Sequence, residues 1–522
     1  MCYFCYYCME KISVYVKMKD FYLPTLLIAG GISPAYAGSD APNIVLILAD
    51  DMGYGDISYY NPMSKIRTSH LDKMASESAV CTDAHSSSSV SSPTRYGILT
   101  GRYNWRSTLK RSVLNGYSKA LIPPERETIA SMLKKQGYNT AAIGKWHLGW
   151  DWNNIDSGIE NVDFSKPITN GPTTLGFDYF YGFCGSLDMA PYVYVENNMP
   201  TAIPDRTTVN KGKYSWWREG PTSPDFHHEN VLEHVIDKGC HYILDKAKSS
   251  RPYFLYLPLP APHTPILPSK EFQGKSGLGD YGDYVLMVDA MVARVLDAVR
   301  KTGEDDNTIV IFVTDNGCSP AAGIKEMEEQ DHYPSFIYRG HKADLFDGGH
   351  RIPCIIRWRK KIKPHFIAQT ICLTDFYSTF AAINDYRLCD SEGEDSYNIL
   401  PALLSVDEVP AIREATVHHS IQGEFTIRQG KWKLLLSSSS GGWSEPRPDN
   451  QEALKGLPSM QLYDMYGDPE ETRNLVNDYP EKTIELRNLL LRYIDEGRST
   501  PGKPQKNDNV EEWKQLEAIK KM

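Results

Sequence analysis

Beyond residue 37 the chain contains no Cys-x-x-Cys pair. Its seven cysteines there (Cys81, Cys184, Cys240, Cys318, Cys354, Cys372 and Cys389) stand singly. This spacing gives no support to a cysteine-ligated zinc site, and the odd count leaves at least one thiol unpaired. A basic excess is also missing: 56 Lys and Arg against 66 Asp and Glu give a formal net charge of -10. Nucleic acid, which needs a basic face, is therefore not an expected partner. Anionic ligands are not excluded, because cations gathered in one pocket can hold them. No segment supplies the roughly 20 apolar residues of a membrane-spanning helix. The apolar stretch from Phe21 to Ile32 is short and interrupted. It follows Met18-Lys19 and precedes Ala35-Tyr36-Ala37, a small-x-small cleavage pattern. This is the layout of a secretory leader over residues 1–37 starting at Met18, so an exported, periplasmic or extracellular protein is expected. Internal repeats are absent too.

What is present fits a large globular protein. A chain of 522 residues exceeds one typical domain, so a main core with a smaller companion is expected. Short apolar runs that end in polar residues are its most informative pattern. Asn43–Ala49 is apolar on both faces, as a buried parallel strand requires, and runs into Asp50-Asp51. Thr308–Thr314 repeats the design and ends in Asp315-Asn316. Thr140–Ile143 leads to Lys145 and His147, and Tyr253–Leu257 leads through prolines to His263. Helical patterns over Glu127–Gln136 and Asp283–Lys301 lie between these runs. Alternation of this kind predicts an α/β fold, with a mainly parallel sheet covered by helices and a site at the strands' carboxyl ends. After about residue 405 the texture changes. Phe425–Arg428, Lys431–Leu436 and Gln461–Asp464 read as short strands, with Ser437–Gly442 as a spacer. Glu481–Glu496 reads as an amphipathic helix carrying Ile484, Leu486, Leu490, Tyr493 and Ile494. A smaller antiparallel sheet plus helix is expected over 406–522, beside a main domain over 38–405, with a loosely held tail after Pro501.

Ser91-Ser92-Pro93-Thr94-Arg95 is followed by Leu99-Thr100-Gly101-Arg102. Pro93 suits a first helical turn, which puts Ser91 at a helix N-terminus, where amides and dipole favour an anion. Alone, Ser-x-Pro is an ordinary helix cap. In order along the chain come Ala-Asp-Asp-Met-Gly-Tyr-Gly-Asp (49–56), Gly-Lys-Trp-His-Leu-Gly (144–149), Pro-His-Thr-Pro (262–265) and Thr-Asp-Asn-Gly (314–317). Arg-Gly-His-Lys-Ala-Asp-Leu-Phe-Asp-Gly-Gly-His-Arg-Ile-Pro (339–353) and Leu-Tyr-Asp…Asp-Pro-Glu-Glu-Thr-Arg-Asn-Leu (462–475) follow. Together these resemble the motifs of the formylglycine-dependent sulfatases, of the Ser type, over nearly all of the chain after the leader.

The resemblance implies an alkaline-phosphatase-like fold and a catalytic centre at Ser91, oxidised there to formylglycine (3-oxoalanine). The hydrated aldehyde carries two hydroxyls: one attacks sulfur and expels the sugar alcohol, and deprotonation of the other ejects sulfate. Ser rather than Cys at this position implies a maturating enzyme of the oxygen-independent type as a partner. Asp50, Asp51, Asp315 and Asn316 match the family's calcium ligands, completed by the modified residue 91. All are oxygen donors suited to Ca²⁺, with Mg²⁺ as the alternative. By the same resemblance Arg95 and Lys145 hold the hydrated aldehyde and His147 is the base that breaks the sulfated intermediate. His263 and Lys342 bind sulfate and assist the leaving oxygen. Asp188 and Asp344 are expected to touch sugar hydroxyls, whereas His85, His341 and His350 are expected to be structural or to support the site from behind. Gly176–Gly182 and the run around Lys342 most resemble the arylsulfatase A and N-acetylgalactosamine-6-sulfatase branch. That implies hydrolysis of a 6-O-sulfate on galactose or N-acetylgalactosamine, in chondroitin or mucin fragments. Two other readings stay open: a phosphodiesterase or phosphonate hydrolase of the same superfamily, and a non-catalytic glycan-binding protein if Ser91 is never oxidised.

Overall fold

Asn43–Asp50 occupies the middle of a ten-stranded sheet because both of its faces are apolar. Ile44, Leu46 and Leu48 enter one core while Val45, Ile47 and Ala49 enter the other, all fully buried. The computed structural model containing this strand describes residues 40–522. The leader expected over 1–37 lies outside the described residues. Tyr253–Pro262 and Thr308–Thr314 flank the central strand in parallel, and Asn139–Lys145 and Tyr179–Phe183 extend the parallel part. Beyond Thr308–Thr314 the sheet turns mixed: Cys354–Arg357 runs antiparallel between it and Ala79–Cys81. Helices Val231–Lys246 and Asp280–Lys301 contribute buried apolar residues to one core. Ser91–Thr100, Ile129–Lys135 and Phe376–Ile383 contribute to the other. A sheet buried on both faces needs this double cover.

A second sheet, antiparallel and four-stranded, is built from Thr416–His419, Phe425–Gln429, Trp432–Leu435 and Gln461–Asp464. Helix Pro480–Asp495 packs on it through Leu486, Leu489, Leu490, Tyr493 and Ile494. The stripe differs from expectation by one position: Ile484 is exposed, and Leu489 takes its place in the core. The tail also differs. Trp513, Leu516 and Ile519 are buried on the same core, and the Lys110 ammonium sits 4.1 Å from the Trp513 ring centre. Those three residues, three apart on a helical stretch, anchor a segment whose many lysines disguise it. Ser437, Ser439 and Ser440 are buried rather than forming an exposed spacer. Among the described residues all seven cysteines are free thiols, and no helix is long and apolar enough to cross a membrane.

One buried ionic group ties the small sheet to the segment that leads from Lys342. Lys433 lies 2.7 Å from both Asp347 and Glu471, all three being fully buried. Burial pushes the Glu471 carboxyl up, Lys433 pulls it down and Asp347 pushes it up again, leaving it at about 7. An unfolded glutamic acid ionises near pH 4.5, so between there and pH 7 the unfolded chain holds fewer protons than the folded one. Stability therefore falls as pH rises through this window, by an amount on the order of 3 kcal/mol. Glu471→Gln keeps the shape and cannot ionise. It is expected to flatten the decline in melting temperature between pH 5 and pH 8, and an unchanged decline would show that Glu471 is charged throughout.

Candidate functional site

The strand exits identified in the sequence converge. Asp50 ends its strand, and Asp51 turns the chain in the left-handed region at φ 64°. For a residue with a side chain this conformation is costly and is held only by its surroundings. Asp51 N–H donates to Asp315 Oδ1 at 3.2 Å, and Asn316 Nδ2 donates to Asp51 Oδ1 at 2.7 Å. These bonds join the ends of two neighbouring parallel strands. Gly144 does similar work for Asn139–Lys145: at φ 129° a Cβ there would lie 2.1 Å from the Pro258 carbonyl oxygen. Only glycine allows this approach, and Lys145 follows it directly. Helix Ser91–Thr100 begins with Ser91 itself, Val90 being its N-cap, and all ten of its residues are buried.

Ser91 Oγ donates to Asp50 Oδ1 at 3.3 Å. The other Asp50 oxygen accepts from Lys145 Nζ at 2.5 Å, and Lys145 also donates to Ser186 Oγ at 3.0 Å. Arg95 donates to Asp315 Oδ2 at 2.8 Å and to the Lys145 carbonyl at 3.0 Å, and lies 3.5 Å from Asp50. Lys342 donates to Asp51 Oδ2 at 2.7 Å, with His263 Nε2 at 3.6 Å from the same oxygen. Burial pushes Asp50 up, but Lys145, His263 and Arg95 outweigh it and hold the carboxyl at about 2. Burial pulls Lys145 down, Asp50 opposes this, and the nearby Arg95 and Lys342 cations add to the lowering. For Lys342 burial is outweighed by Asp51 and Asp50, so its ammonium is held more firmly than usual. Three carboxylates and three basic side chains thus face one another in a buried space, where each interaction is stronger than in water.

His147, also left-handed at φ 54°, has Nε2 2.8 Å from the Leu114 carbonyl oxygen. A carbonyl only accepts, so Nε2 carries the hydrogen and Nδ1 presents a lone pair. Nδ1 is buried without a partner. Burial, then Lys145 and Arg95, keep this imidazole well below its usual pKa and therefore neutral. A neutral histidine with a free lone pair can accept a proton.

Lys145, Arg95 and Lys342 already stand between the carboxylates, so mutual repulsion alone does not require an ion. Asn316 gives the better indication. Its Nδ2 is fixed by two acceptors, Asp51 and the Gly317 carbonyl, which leaves Oδ1 as a buried oxygen with no donor. An orphaned oxygen beside Asp50, Asp51 and Asp315 fits a hard cation.

Asp188 and Asp344 part company. Asp188 is paired with Arg218, while its Oδ1 is buried and unpartnered. Burial pushes its carboxyl up, but His263, Arg218 and Lys145 outweigh this and lower it. Asp344 is different, and corrects the expectation that it contacts sugar. It is fully buried, with Oδ1 accepting from the Trp443 and Ser444 amides and Oδ2 from the His341 amide and the Ser444 hydroxyl. Those bonds hold the 437–446 loop against the segment bearing Lys342 and leave no face for a ligand. Ser186 was not singled out in the sequence, yet its hydroxyl bridges Lys145 and His263, 3.3 Å from His263 Nδ1. Following the exit of a fifth parallel strand, Tyr179–Phe183, would have reached it.

The family model described as Sulfatase matches residues 42–386. The N-acetylgalactosamine-6-O-sulfatase of Bacteroides thetaiotaomicron is 32% identical over 490 residues, covering 87% of this chain and 93% of that protein. Human arylsulfatase A is 29% identical over 467 residues, covering 86% of each. A solved structure from work on glycosaminoglycan metabolism by Bacteroides thetaiotaomicron superposes with a TM-score of 0.77 at 30% identity, covering 87% of this chain and 99% of that one. The large mixed sheet between helices, with its small antiparallel companion, is the alkaline-phosphatase-like fold of these enzymes. The family match spans well over half of the chain and the relatives extend along most of the remainder, so this protein belongs to the sulfatase family and is a sulfuric ester hydrolase.

Proposed function

We propose that the protein removes a terminal 6-O-sulfate from galactose or N-acetylgalactosamine in chondroitin or mucin fragments, using formylglycine made from Ser91. The carrying observation is the cluster that meets Ser91 at Asp50: Asp50, Asp51, Asp315 and Asn316, with Arg95, Lys145, Lys342 and His263 packed against their carboxylates. The named relatives support the sugar, N-acetylgalactosamine-6-sulfatases recurring among them. In this reading the four oxygen-bearing residues and the modified residue 91 hold Ca²⁺, with Mg²⁺ as substitute. The ion supplies charge stabilisation for sulfate oxygens and for the nucleophile's oxygen. Arg95 and Lys145 orient the hydroxyl that attacks sulfur, and Lys342 holds a sulfate oxygen through its fixed charge. His147 Nδ1 accepts the proton whose removal frees sulfate, and His263 gives one to the departing sugar oxygen. Asp188 meets a sugar hydroxyl with its free oxygen. The 406–522 region completes the pocket, supported by the 437–446 loop against Asp344. Maturation at Ser91 and export to the periplasm belong to the same reading, the latter supported by the leader pattern before Gly38.

The direct test assays matured enzyme on 6-O-, 4-O- and 2-O-sulfated galactose and N-acetylgalactosamine. Preference for the 6-O-sulfates is expected, and faster turnover of another position, or of phosphate diesters, would overturn the assignment. His263→Ala is expected to slow hydrolysis of sugar sulfates by about 10²–10⁴-fold while affecting activated aryl sulfates much less, because a good leaving group needs no acid. Equal slowing of both would remove His263 from that role.

A further inference from the structure

We propose that His85, His350 and His418 form a second metal centre that binds a divalent transition ion of the zinc class. One ring nitrogen from each lies within 4.8 Å of the others, and all three side chains are buried. They come from three separate places: the strand Ala84–His85, the short helix Asp347–His350 and the first strand of the small sheet, Thr416–His419.

The hydrogen bonds around the cluster determine which nitrogens are free. His85 Nε2 lies 2.9 Å from Asp83 Oδ1, His350 Nε2 3.0 Å from the Leu345 carbonyl, and His418 Nδ1 2.9 Å from the Ser86 carbonyl. Carboxylate and carbonyl oxygens only accept here, so each of these outer nitrogens carries the hydrogen. Arg428 also approaches His85 Nε2, at 3.3 Å, but donates at shorter range to the same Asp83 oxygen. The inner nitrogens of three neutral rings are therefore lone pairs. Two of them, His85 Nδ1 and His350 Nδ1, face each other at 2.9 Å, and the third, His418 Nε2, is buried with no partner.

Two opposed lone pairs at this distance repel, and something positive must lie between them. A shared proton would create a buried imidazolium, which burial disfavours on all three rings; the neighbouring rings add to this for His350 and His418, whereas at His85 burial outweighs the opposing pull of Asp83 and Asp347. A metal ion removes the repulsion and also satisfies His418. Outer N–H groups fixed by a carboxylate or carbonyl, with inner nitrogens converging, are the support that metal-binding histidines require. Zinc–nitrogen bonds of about 2.0–2.1 Å put tetrahedral ligand atoms roughly 3.4 Å apart, so the opposed pair must open slightly. The His418 ring, stacked on His350 at 4.0 Å, must tilt toward the ion.

The surroundings select the type of ion. Asp83 and Asp347 are shared among Arg351, Arg428 and Lys433, so the region is not acidic. Attraction therefore rests on imidazole nitrogen, which suits Zn²⁺ and its neighbours and not Ca²⁺ or Mg²⁺. Position suggests the purpose. His85 precedes Ser91 by six residues and His350 follows Lys342 by eight, so the ion would pin both segments to the small sheet.

Metal content and cobalt spectroscopy of the full-length protein test this without measuring activity. Protein purified from zinc-replete cells and gel-filtered should retain a stoichiometric equivalent of zinc by plasma mass spectrometry. Stripped protein titrated with Co²⁺ in excess Ca²⁺ should develop the intense visible absorption of nitrogen-ligated tetrahedral cobalt. Both signals should persist in Ser91→Ala and disappear in His418→Gln, whose folding is checked by circular dichroism. Folded wild-type protein that neither retains zinc nor develops the cobalt band overturns the proposal, whatever the variants do.

Discussion

Ser91→Ala is expected to lower sulfate release by about 10⁴-fold or more while leaving the fold intact, the loss typical of removing a nucleophile. The separation between chemistry and folding follows from the contacts. Ser91 Oγ makes one long bond, 3.3 Å to Asp50, and a hydrogen bond of that kind contributes about 1 kcal/mol or less. Asp50 keeps Lys145 at 2.5 Å, so truncation leaves no unpaired buried carboxylate. Alanine is also a good residue for the first turn of a helix. Melting temperature and circular dichroism should match the parent, and sulfate release from a 6-O-sulfated sugar should disappear. Mass spectrometry of the peptide spanning residue 91 supplies the complementary reading: the parent should be lighter than its encoded mass by two hydrogens, and the variant should not. Normal turnover by the alanine variant would end the nucleophile assignment.

Much of this site could be read before any coordinates, because parallel sheets gather their chemistry at strand ends and these strands advertise themselves. Asn43–Asp50 and Thr308–Thr314 are continuous apolar runs that stop at acids, and a double-faced core requires that pattern. Lys342 was legible only through its motif, since it lies on an irregular segment where periodicity says nothing. Ser186 had a single signal, its place just past the exit of the strand Tyr179–Phe183; its joining of a lysine to a histidine across the fold leaves no local signature. Asp344 shows the opposite failure. An acid next to a lysine in a functional motif suggests substrate contact, but its oxygens are consumed by backbone amides and a serine from a loop about 100 residues away. The tail was misjudged because three well-spaced apolar residues, Trp513, Leu516 and Ile519, bury as effectively as a dense cluster.

Removing the cation from the Ser91 centre should be as damaging to activity as removing Ser91 itself, and unlike that substitution it should also lower stability. With the ion absent, Asn316 Oδ1 has no donor, and a buried oxygen left unsatisfied costs about 1–3 kcal/mol. Lys145 pairs with Asp50 and Lys342 with Asp51, so neither carboxylate is left uncompensated, but an ammonium held there does not serve the amide oxygen. A ligand that binds only the folded state adds about 2.7 kcal/mol at a hundred times its dissociation constant. Protein dialysed against EDTA, and shown to be metal-free, should therefore melt at a lower temperature and release no sulfate. Calcium, added beside one equivalent of zinc to refill the histidine centre, should restore both in a concentration-dependent way. Magnesium should restore them less well, because it demands six ligands at 2.0–2.1 Å, whereas calcium tolerates irregular oxygen sets at 2.3–2.6 Å. Zinc alone should not restore turnover, since the four residues around position 91 offer oxygen only. Asn316→Ala should weaken calcium binding by about 10-fold or more, in line with the loss of one properly oriented ligand. Full activity in demonstrably metal-free enzyme would leave Lys145, Arg95 and Lys342 as the whole source of positive charge, and the acids at the strand ends would then be their counter-ions alone.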